Sequence, residues 1–306
     1  MKVFHDTAQA AGRIRNAVVT TGSFDGVHIG HKVIINRLNQ IAREIDGESV
    51  LITFHPHPRK VLYPEQTDLK LINSQEEKIE LLRKAGLQNL IIVPFSIEFS
   101  KTSSHDFISK ILVGQLQAKV VVVGHNHHFG HNRQGDYEYL HQLASELGFS
   151  VEEIPLQDIE NETVSSTKIR KALFEGNIQR ANAYLDHQYI ISGNLKQNSH
   201  KLVSEEIPFY TIEITEEEKL VPPPGVYATN LFFEGKWFKS VTFVTGSNTP
   251  NQQVASHLIY DRINLHEKKG TLYFYKKVMN LPLSGNGSID PDYFEEAKER
   301  VKDLIY

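Results

Sequence analysis

Apolar positions along the first 185 residues follow two rhythms. Nearly unbroken apolar runs at Ala17–Ser23, Ser49–Phe54, Asn89–Pro94 and Lys119–Gly124 predict strands, and a short strand is expected near Val151–Ile154. Between them, Gly30–Ile45 carries Val33, Ile34, Leu38, Ile41 and Ile45 at helical spacing. Ser74–Ala85 opens with Ser74 and Glu77 in the capping-box arrangement, which starts a helix. Ser104–Gln117, Asp136–Leu147, Thr167–Glu175 and Ile178–Leu185 also read as helices. Apolar strands alternating with helices predict a parallel sheet covered on both faces.

After about Asp186 the rhythm changes. Tyr189–Leu195, Phe209–Ile214, Val226–Phe233, Trp237–Thr245, Val254–Ile259 and Thr271–Val278 read as short, turn-bounded strands, as in an antiparallel barrel. A last helix, Pro291–Ile305, has proline near its start. The expected fold is α/β: a Rossmann-like parallel-sheet domain over residues 1–185, then a small antiparallel β-barrel domain with a C-terminal helix over 186–306.

A chain of 306 residues fits about two domains, each large enough for its own core. The net charge of -4 provides no general attraction to nucleic acid or to an anionic membrane, so neither is expected as a partner. Cysteine is absent, which excludes disulfides, thiolate metal sites and a cysteine nucleophile and fits a reducing cytoplasm. The first residues contain no long apolar run, so no signal peptide is expected, and no segment approaches the roughly 20 apolar residues of a membrane span. These features point to a cytoplasmic protein and leave its oligomeric state open.

Histidine occurs 15 times, more than half of it in GVHIGH, FHPHP and GHNHHFGH. Each stretch follows a predicted strand, and ligands of parallel sheets bind beyond the carboxyl ends of the strands. The three stretches are therefore expected on one rim. Imidazole hydrogen-bonds phosphate and titrates near neutral pH.

Gly22–His31 reads G-S-F-D-G-V-H-I-G-H. Its glycines let the backbone turn and approach a ligand, and a helix begins near Gly30. The free N–H groups of a helix start make an anion site, and His28 and His31, three apart, can share a face there. A glycine-rich turn with surface histidines is the plainer reading of the same residues. Val164–Arg170 reads V-S-S-T-K-I-R: its hydroxyls can cap a helix, while Lys168 and Arg170 can pair with phosphate.

The ten-residue pattern resembles the HxGH signature of the nucleotidyltransferase superfamily, and in its fuller form the prokaryotic bifunctional riboflavin kinase/FMN adenylyltransferases (FAD synthetases). VSSTKIR is similar to the superfamily's ISSTxIR. Gly124–Gly135, GHNHHFGHNRQG, is similar to the family's G-x-[DN]-F-x-F-G-x-x-R-x-G, with His127 in place of a phenylalanine. Thr53–Arg59, TFHPHPR, resembles TFxPHP, with His55 where an acidic residue is usual. A zinc site among these histidines fits the spacing less well, and no residue is assigned to a metal.

The resemblance implies transfer of AMP from ATP, taken with Mg²⁺, to FMN. It implies catalytic roles for His28, His31 and Arg170. It places ATP on Gly22, Phe24, Asp25, Gly30, Ser165, Ser166, Thr167 and Lys168, the hydroxyls and arginine opposite the histidines. It places FMN on Phe54, Pro56, Asn126, Phe129 and Arg133.

In the second half, PPPGVYA at Pro222–Ala228 and YIISG at Tyr189–Gly193 resemble the riboflavin kinase domain. Its catalytic pattern G-R-x-L-G-F-P-T-A-N is replaced by L-V-S-E-E-I-P-F-Y-T, with Phe209 for threonine and Thr211 for asparagine. Ala255 stands where the family carries a glutamate base. The resemblance therefore implies a kinase-like barrel without kinase activity. A bifunctional enzyme, a flavin- or nucleotide-binding regulatory protein, and a related adenylyl or cytidylyl transferase remain alternatives. HxGH alone does not choose the acceptor.

Overall fold

The computed structural model describes residues 1–65, 69–124, 129–130, 135–155, 158–159, 162–198, 203, 207–246, 253–260, 263, 269–281 and 289–304. By their contacts they form two compact units, Met1–Leu69 with Lys78–Val164, and Lys70–Glu77 with Ser165–Tyr306.

The first unit is built on a parallel sheet of six strands: β1 (Lys2–Phe4), β2 (Val18–Thr21), β3 (Ser49–His55), β4 (Asn89–Pro94), β5 (Val120–Gly124) and β6 (Ser150–Ile154). Their order is β1-β4-β3-β2-β5-β6, every neighbouring pair parallel. The connections run from β2 outward through β3 to β4, then return to the other side of β2 for β5. The order thus reverses between β2 and β5, where open α/β sheets bind ligands.

Alternate residues of one strand enter different cores, as a sheet covered on both faces requires. Val50 and Ile52 join Val19, Val121, Ile108, Leu112 and Leu140 in one cluster. Leu51, between them, joins Val27, Ile35, Leu82 and Leu90 in another.

The helices are α1 (Thr7–Ala10), α2 (Ile29–Glu44), α3 (Pro58–Leu62), α4 (Gln75–Lys84), α5 (Ser104–Asp106) and α6 (Tyr137–Leu147). The capping box at α4 is formed: the Glu77 N–H donates to Ser74 Oγ at 3.2 Å and the Ser74 N–H to Glu77 Oε2 at 2.9 Å. The helix expected over Ser104–Gln117 departs from α geometry. After α5 it continues as a π-helix over Phe107–Gln115. The wider turn brings Phe107, Ile108, Leu112 and Leu116 to the core at spacings an α-helix would spread over two faces.

In the second unit, α7 (Ser166–Phe174) and α8 (Ile178–Leu185) precede a closed barrel of β9 (Tyr189–Asn198), β10 (Phe209–Glu213), β11 (Gly225–Phe233), β12 (Lys236–Thr245), β13 (Gln253–Leu258) and β14 (Lys269–Met279). Two-residue strands β7 (Asp158–Ile159) and β8 (Glu162–Thr163) pair with each other in the first unit, as a separate two-stranded sheet. A closed barrel leaves no unpaired edge. The last helix, α9 (Pro291–Lys302), buries Phe294, Ala297 and Val301 against Phe209, Val226 and Phe243.

The sequence pattern changes at Leu185–Asp186, whereas contacts divide the chain at Val164–Ser165. The reason is visible at α8: Asn182 Nδ2 donates to the Phe274 carbonyl at 2.8 Å and Asn182 Oδ1 accepts the Tyr189 N–H at 2.7 Å. Those bonds tie α8 to β9 and β14.

Within the barrel, Thr229, Ser240, Thr242 and Ser256 are buried together. Thr229 Oγ1 lies 2.7 Å from Ser240 Oγ and 2.6 Å from Thr242 Oγ1, which lies 2.7 Å from Ser256 Oγ. Among the described residues no helix is long and apolar enough to cross a membrane.

Candidate active site

The turn Gly22–His28 leaves the carboxyl end of β2 and delivers the chain to α2. The loops after β3 and β5 start from the same edge, because those strands flank β2 and run parallel to it. The turn is tight. Phe24 and Val27 have positive φ of 48° and 41°, and Gly26 one of 93°. A β-branched residue in this region is strained, and such conformations persist only where the surroundings over-determine them. Val27 is fully buried among Leu51, Leu82 and Leu90, which holds it there.

The turn brings three of the expected residues into one stack. The His28 and His31 rings lie 3.6 Å apart at 20°, and Phe24 stacks on His31 at 4.3 Å and 19°. Gly30 permits this: a Cβ there would stand 3.3 Å from the His28 ring. A Cβ on Gly22 would stand 3.1 Å from the Phe24 ring. His28 is the N-cap of α2 without a side-chain cap bond, and the first intrahelical bond is Lys32 N–H to the His28 carbonyl. The earlier amides of α2 are therefore open to an anion. Asp25 is buried in the same turn.

Burial pushes the His31 pKa well below the ordinary imidazole value, with His28 and then Lys78 adding to the shift. His31 Nδ1 is buried without a hydrogen-bond partner among the described residues. An anion bound beside such a ring favours its protonated form.

Among the residues expected to meet FMN, Phe54 is the penultimate residue of β3 and packs on Phe99 at 5.8 Å. Phe99 packs on Phe107 at 6.5 Å and Phe107 on Phe129 at 6.2 Å, so a row of aromatic rings joins Phe54 to Phe129. Phe129 and Gly135 exchange two backbone hydrogen bonds of 3.0 Å. Gly130 has φ 73°, and a Cβ there would collide with Ser104 at 2.2 Å. Pro56 is exposed and follows a cis peptide bond from His55. Asn126 and Arg133, with His127 and His128, lie outside the described residues.

The remaining candidates belong to the second unit. Ser165 is the N-cap of α7 and accepts the Lys168 N–H at 3.4 Å, so its hydroxyl performs the plain capping role. Ser166 and Lys168 are half-buried beside it, and Thr167 is exposed. Arg170 Nε donates to the Lys70 carbonyl at 2.9 Å.

In the barrel, two of the three positions set against the kinase pattern, Phe209 and Ala255, are apolar. Phe209 is buried against Phe243 and Phe294, at 5.8 Å from each. Ala255 is fully buried in the same cluster and pairs with Thr211 on one side and Phe243 on the other. Ser204, Glu205 and Glu206 lie outside the described residues.

Two features escaped the sequence reading. Lys78 is buried beside the turn and donates to the Ser23 carbonyl at 3.3 Å. In SQEEKIELLRK it looks like one more charge on a solvated helix face. The other is a buried pair of Glu77 and Lys219, whose partners are far apart in sequence.

Comparison with known proteins gives two matching families. The family described as FAD synthetase matches residues 11–168, and the one described as riboflavin kinase matches residues 185–280. A bifunctional riboflavin kinase/FMN adenylyltransferase of Listeria monocytogenes is 31% identical over 72% of this chain and 69% of its own length. One of the same description from Buchnera aphidicola subsp. Acyrthosiphon pisum is 29% identical over 86% and 85%. A crystal structure described as a macrolide-efflux protein from Streptococcus pneumoniae aligns with TM-score 0.82 over 99% of this chain and 97% of that one. At 20% identity that likeness concerns the fold alone.

Proposed function

The chain belongs to the FAD synthetase family, and on that premise we propose that it makes FAD by transferring the AMP part of ATP to FMN, with release of pyrophosphate. The observation that carries the reading is the stack of His28 and His31 at the start of α2, beside the point where the strand order reverses.

A phosphate oxygen of FMN attacks the α-phosphorus of ATP in line. One P–O bond forms, the bond to the β-phosphate oxygen breaks, and pyrophosphate carries away its electron pair. No covalent enzyme intermediate is required. Both reactants are anions, so the protein's work is positioning and charge stabilisation, by analogy with γ-phosphoryl transfer. ATP enters as its Mg²⁺ complex.

His28 and His31 hold the triphosphate with the open amides of α2. The depressed pKa of His31 leaves its ring neutral before substrate arrives, and the approaching polyanion favours its protonation. Ser165, Ser166, Thr167 and Lys168 bind phosphate oxygens, and Arg170 stabilises the transition-state charge. Gly22, Phe24, Asp25 and Gly30 shape the nucleotide turn. Phe54, Pro56, Asn126, Phe129 and Arg133 receive the flavin.

The same reading gives the barrel no riboflavin kinase activity. A phosphoryl acceptor needs a base, and Ala255 among Phe209, Val226 and Phe243 has no proton acceptor. The match of residues 185–280 to riboflavin kinase favours the bifunctional alternative, so the test must separate the two. The protein is incubated with MgATP and either FMN or riboflavin, and products are separated by chromatography. FAD and pyrophosphate from FMN, with riboflavin returned unchanged, is the expected result. Conversion of riboflavin to FMN would establish the second activity. Binding of FMN and ATP without pyrophosphate release would end the enzymatic reading.

A further inference from the structure

Lys78 is only 9% exposed, although lysine is rarely buried and its ammonium is costly to desolvate. Its neighbours on α4 behave ordinarily: Glu80, Arg83 and Lys84 form exposed ion pairs along the helix. Lys78 instead turns inward and donates to the Ser23 carbonyl at 3.3 Å. The same carbonyl accepts Thr53 Oγ1 at 3.2 Å. Two donors, one from α4 and one from β3, thus converge on the backbone immediately before Phe24.

That is where the chain enters its left-handed stretch, at Phe24 with φ 48°. A strained turn needs external bonds to hold it. Thr53 is fully buried and Lys78 nearly so, which makes both bonds hard for water to replace. The ring fixed by this backbone is Phe24, which stacks on His31, which stacks on His28.

We propose that Lys78 is a positioning residue for adenylyl transfer, tying the Ser23 carbonyl from α4 so that the Phe24–His31–His28 stack is held ready for the triphosphate. The proposal rests on the reading of that turn as the triphosphate site. Lys78 also acts through charge. The groups bearing on the His31 ring are His28, from the turn, and Lys78, from α4; both oppose a proton on it. Asp25 is buried in the same turn. The lysine therefore helps keep His31 neutral until an anion arrives, and it contributes one fixed positive charge to a site that receives two anions.

The test uses the full chain, with Lys78→Met, Lys78→Gln and Lys78→Arg beside wild type, each checked for folding by circular dichroism and thermal melting. Histidine ring resonances of ligand-free protein are titrated with pH, and His31 is assigned with His31→Gln. Adenylyl transfer is followed as pyrophosphate release at varied ATP. In Lys78→Met the His31 midpoint moves up and kcat/KM for ATP falls about 10²-fold, the scale of a small misplacement of reacting groups. Lys78→Gln, which keeps a donor for Ser23 without the charge, shows the raised midpoint with a smaller loss of rate. Lys78→Arg restores the low midpoint and most of the rate.

A folded Lys78→Met or Lys78→Gln with an unmoved His31 midpoint and wild-type kcat/KM would overturn the proposal. If Lys78→Met fails to fold, Lys78→Gln decides by the same two readouts. Wild-type protein that releases no pyrophosphate while its His31 midpoint responds to Lys78 would sink the reaction assigned to the turn, and leave the lysine's hold on His31 standing.

Discussion

Lys219 Nζ stands 2.7 Å from Glu77 Oε2, with the two side chains 1% and 0% exposed. Lys219 also donates to the carbonyls of Ile72 at 2.6 Å and Ile190 at 2.7 Å, and its ammonium lies 4.3 Å from the centre of the Tyr189 ring. Glu77 Oε1 accepts the Ser192 N–H at 2.8 Å. Leu71 adds two backbone bonds, to Glu218 at 2.7 Å and from Leu220 at 2.8 Å. Segment Lys70–Glu77 is fastened to β9 and to the stretch before β11 by charge and backbone together.

Removing one partner of such a pair strands the other charge out of water. Lys219→Met should therefore destabilise the folded protein by about 3–5 kcal/mol. Glu77→Gln combined with Lys219→Met should recover part of the loss, because no buried charge remains. Denaturant unfolding of the three proteins measures this; equal stability of Lys219→Met and wild type would deny the pair its structural importance.

His28→Ala and His31→Ala should each lower turnover by about 10²–10³-fold, the scale seen for loss of one charge-stabilising contact. Melting temperatures should change far less than would a core cavity. Pyrophosphate release and thermal melting, measured on the same samples, decide it. Normal turnover in either variant would remove that histidine from the chemistry.

The depressed pKa of His31 also makes stability depend on pH. The unfolded chain binds a proton at His31 near the ordinary value of about 6.5, while the folded protein binds it only at lower pH. Between those two values the unfolded state holds more protons, so stability falls as pH drops below about 6.5. His31→Gln should lose this part of the pH dependence. Thermal melting of both proteins between neutral and mildly acidic pH reads the difference, and parallel curves would contradict it.

Gly130→Ala should raise the KM for FMN more than the KM for ATP. Its Cβ would meet Ser104 Oγ at 2.2 Å and Cα at 2.7 Å, and φ is 73°. The loop must shift, and Phe129 leaves its place beside Phe107. Steady-state kinetics with each substrate varied in turn show whether the effect falls on the flavin.

Much of this architecture could be read from the chain. Five of the six strands of the first sheet, β2 to β6, and all six barrel strands were expected to within a few residues, most of them marked by consecutive or alternating apolar residues. That His28 and His31 can share a face was legible in their spacing of three, whereas the stacking of the rings is not, because His28 is the extended N-cap of α2 and Gly30 leaves room for its ring. What could not be read has physical causes. β1 has three residues, too few for a pattern, and is defined by pairing with β4, far along the chain. The π-helix shows only in Phe107, Ile108, Leu112 and Leu116 sharing one core, which is known once the chain is folded. Lys78 and the Glu77–Lys219 pair are ordinary charges until their distant partners are known. The bridge from Arg170 to the Lys70 carbonyl is equally silent in sequence, since any residue supplies a carbonyl.

The four hydroxyls of Thr229, Ser240, Thr242 and Ser256 bear on how the barrel finds its alignment. Thr229 pairs with Ser240 across β11 and β12, and Thr242 with Ser256 across β12 and β13. Sliding any of these strands by one residue would break the chain of hydroxyls and strand polar atoms in the interior, at about 1–3 kcal/mol for each atom left unpaired. Oily side chains tolerate many arrangements, but this chain of hydroxyls closes in only one. It works as a tally that a misaligned barrel fails, and that makes the oxygen atoms, more than the phenylalanines around them, the check on the finished fold.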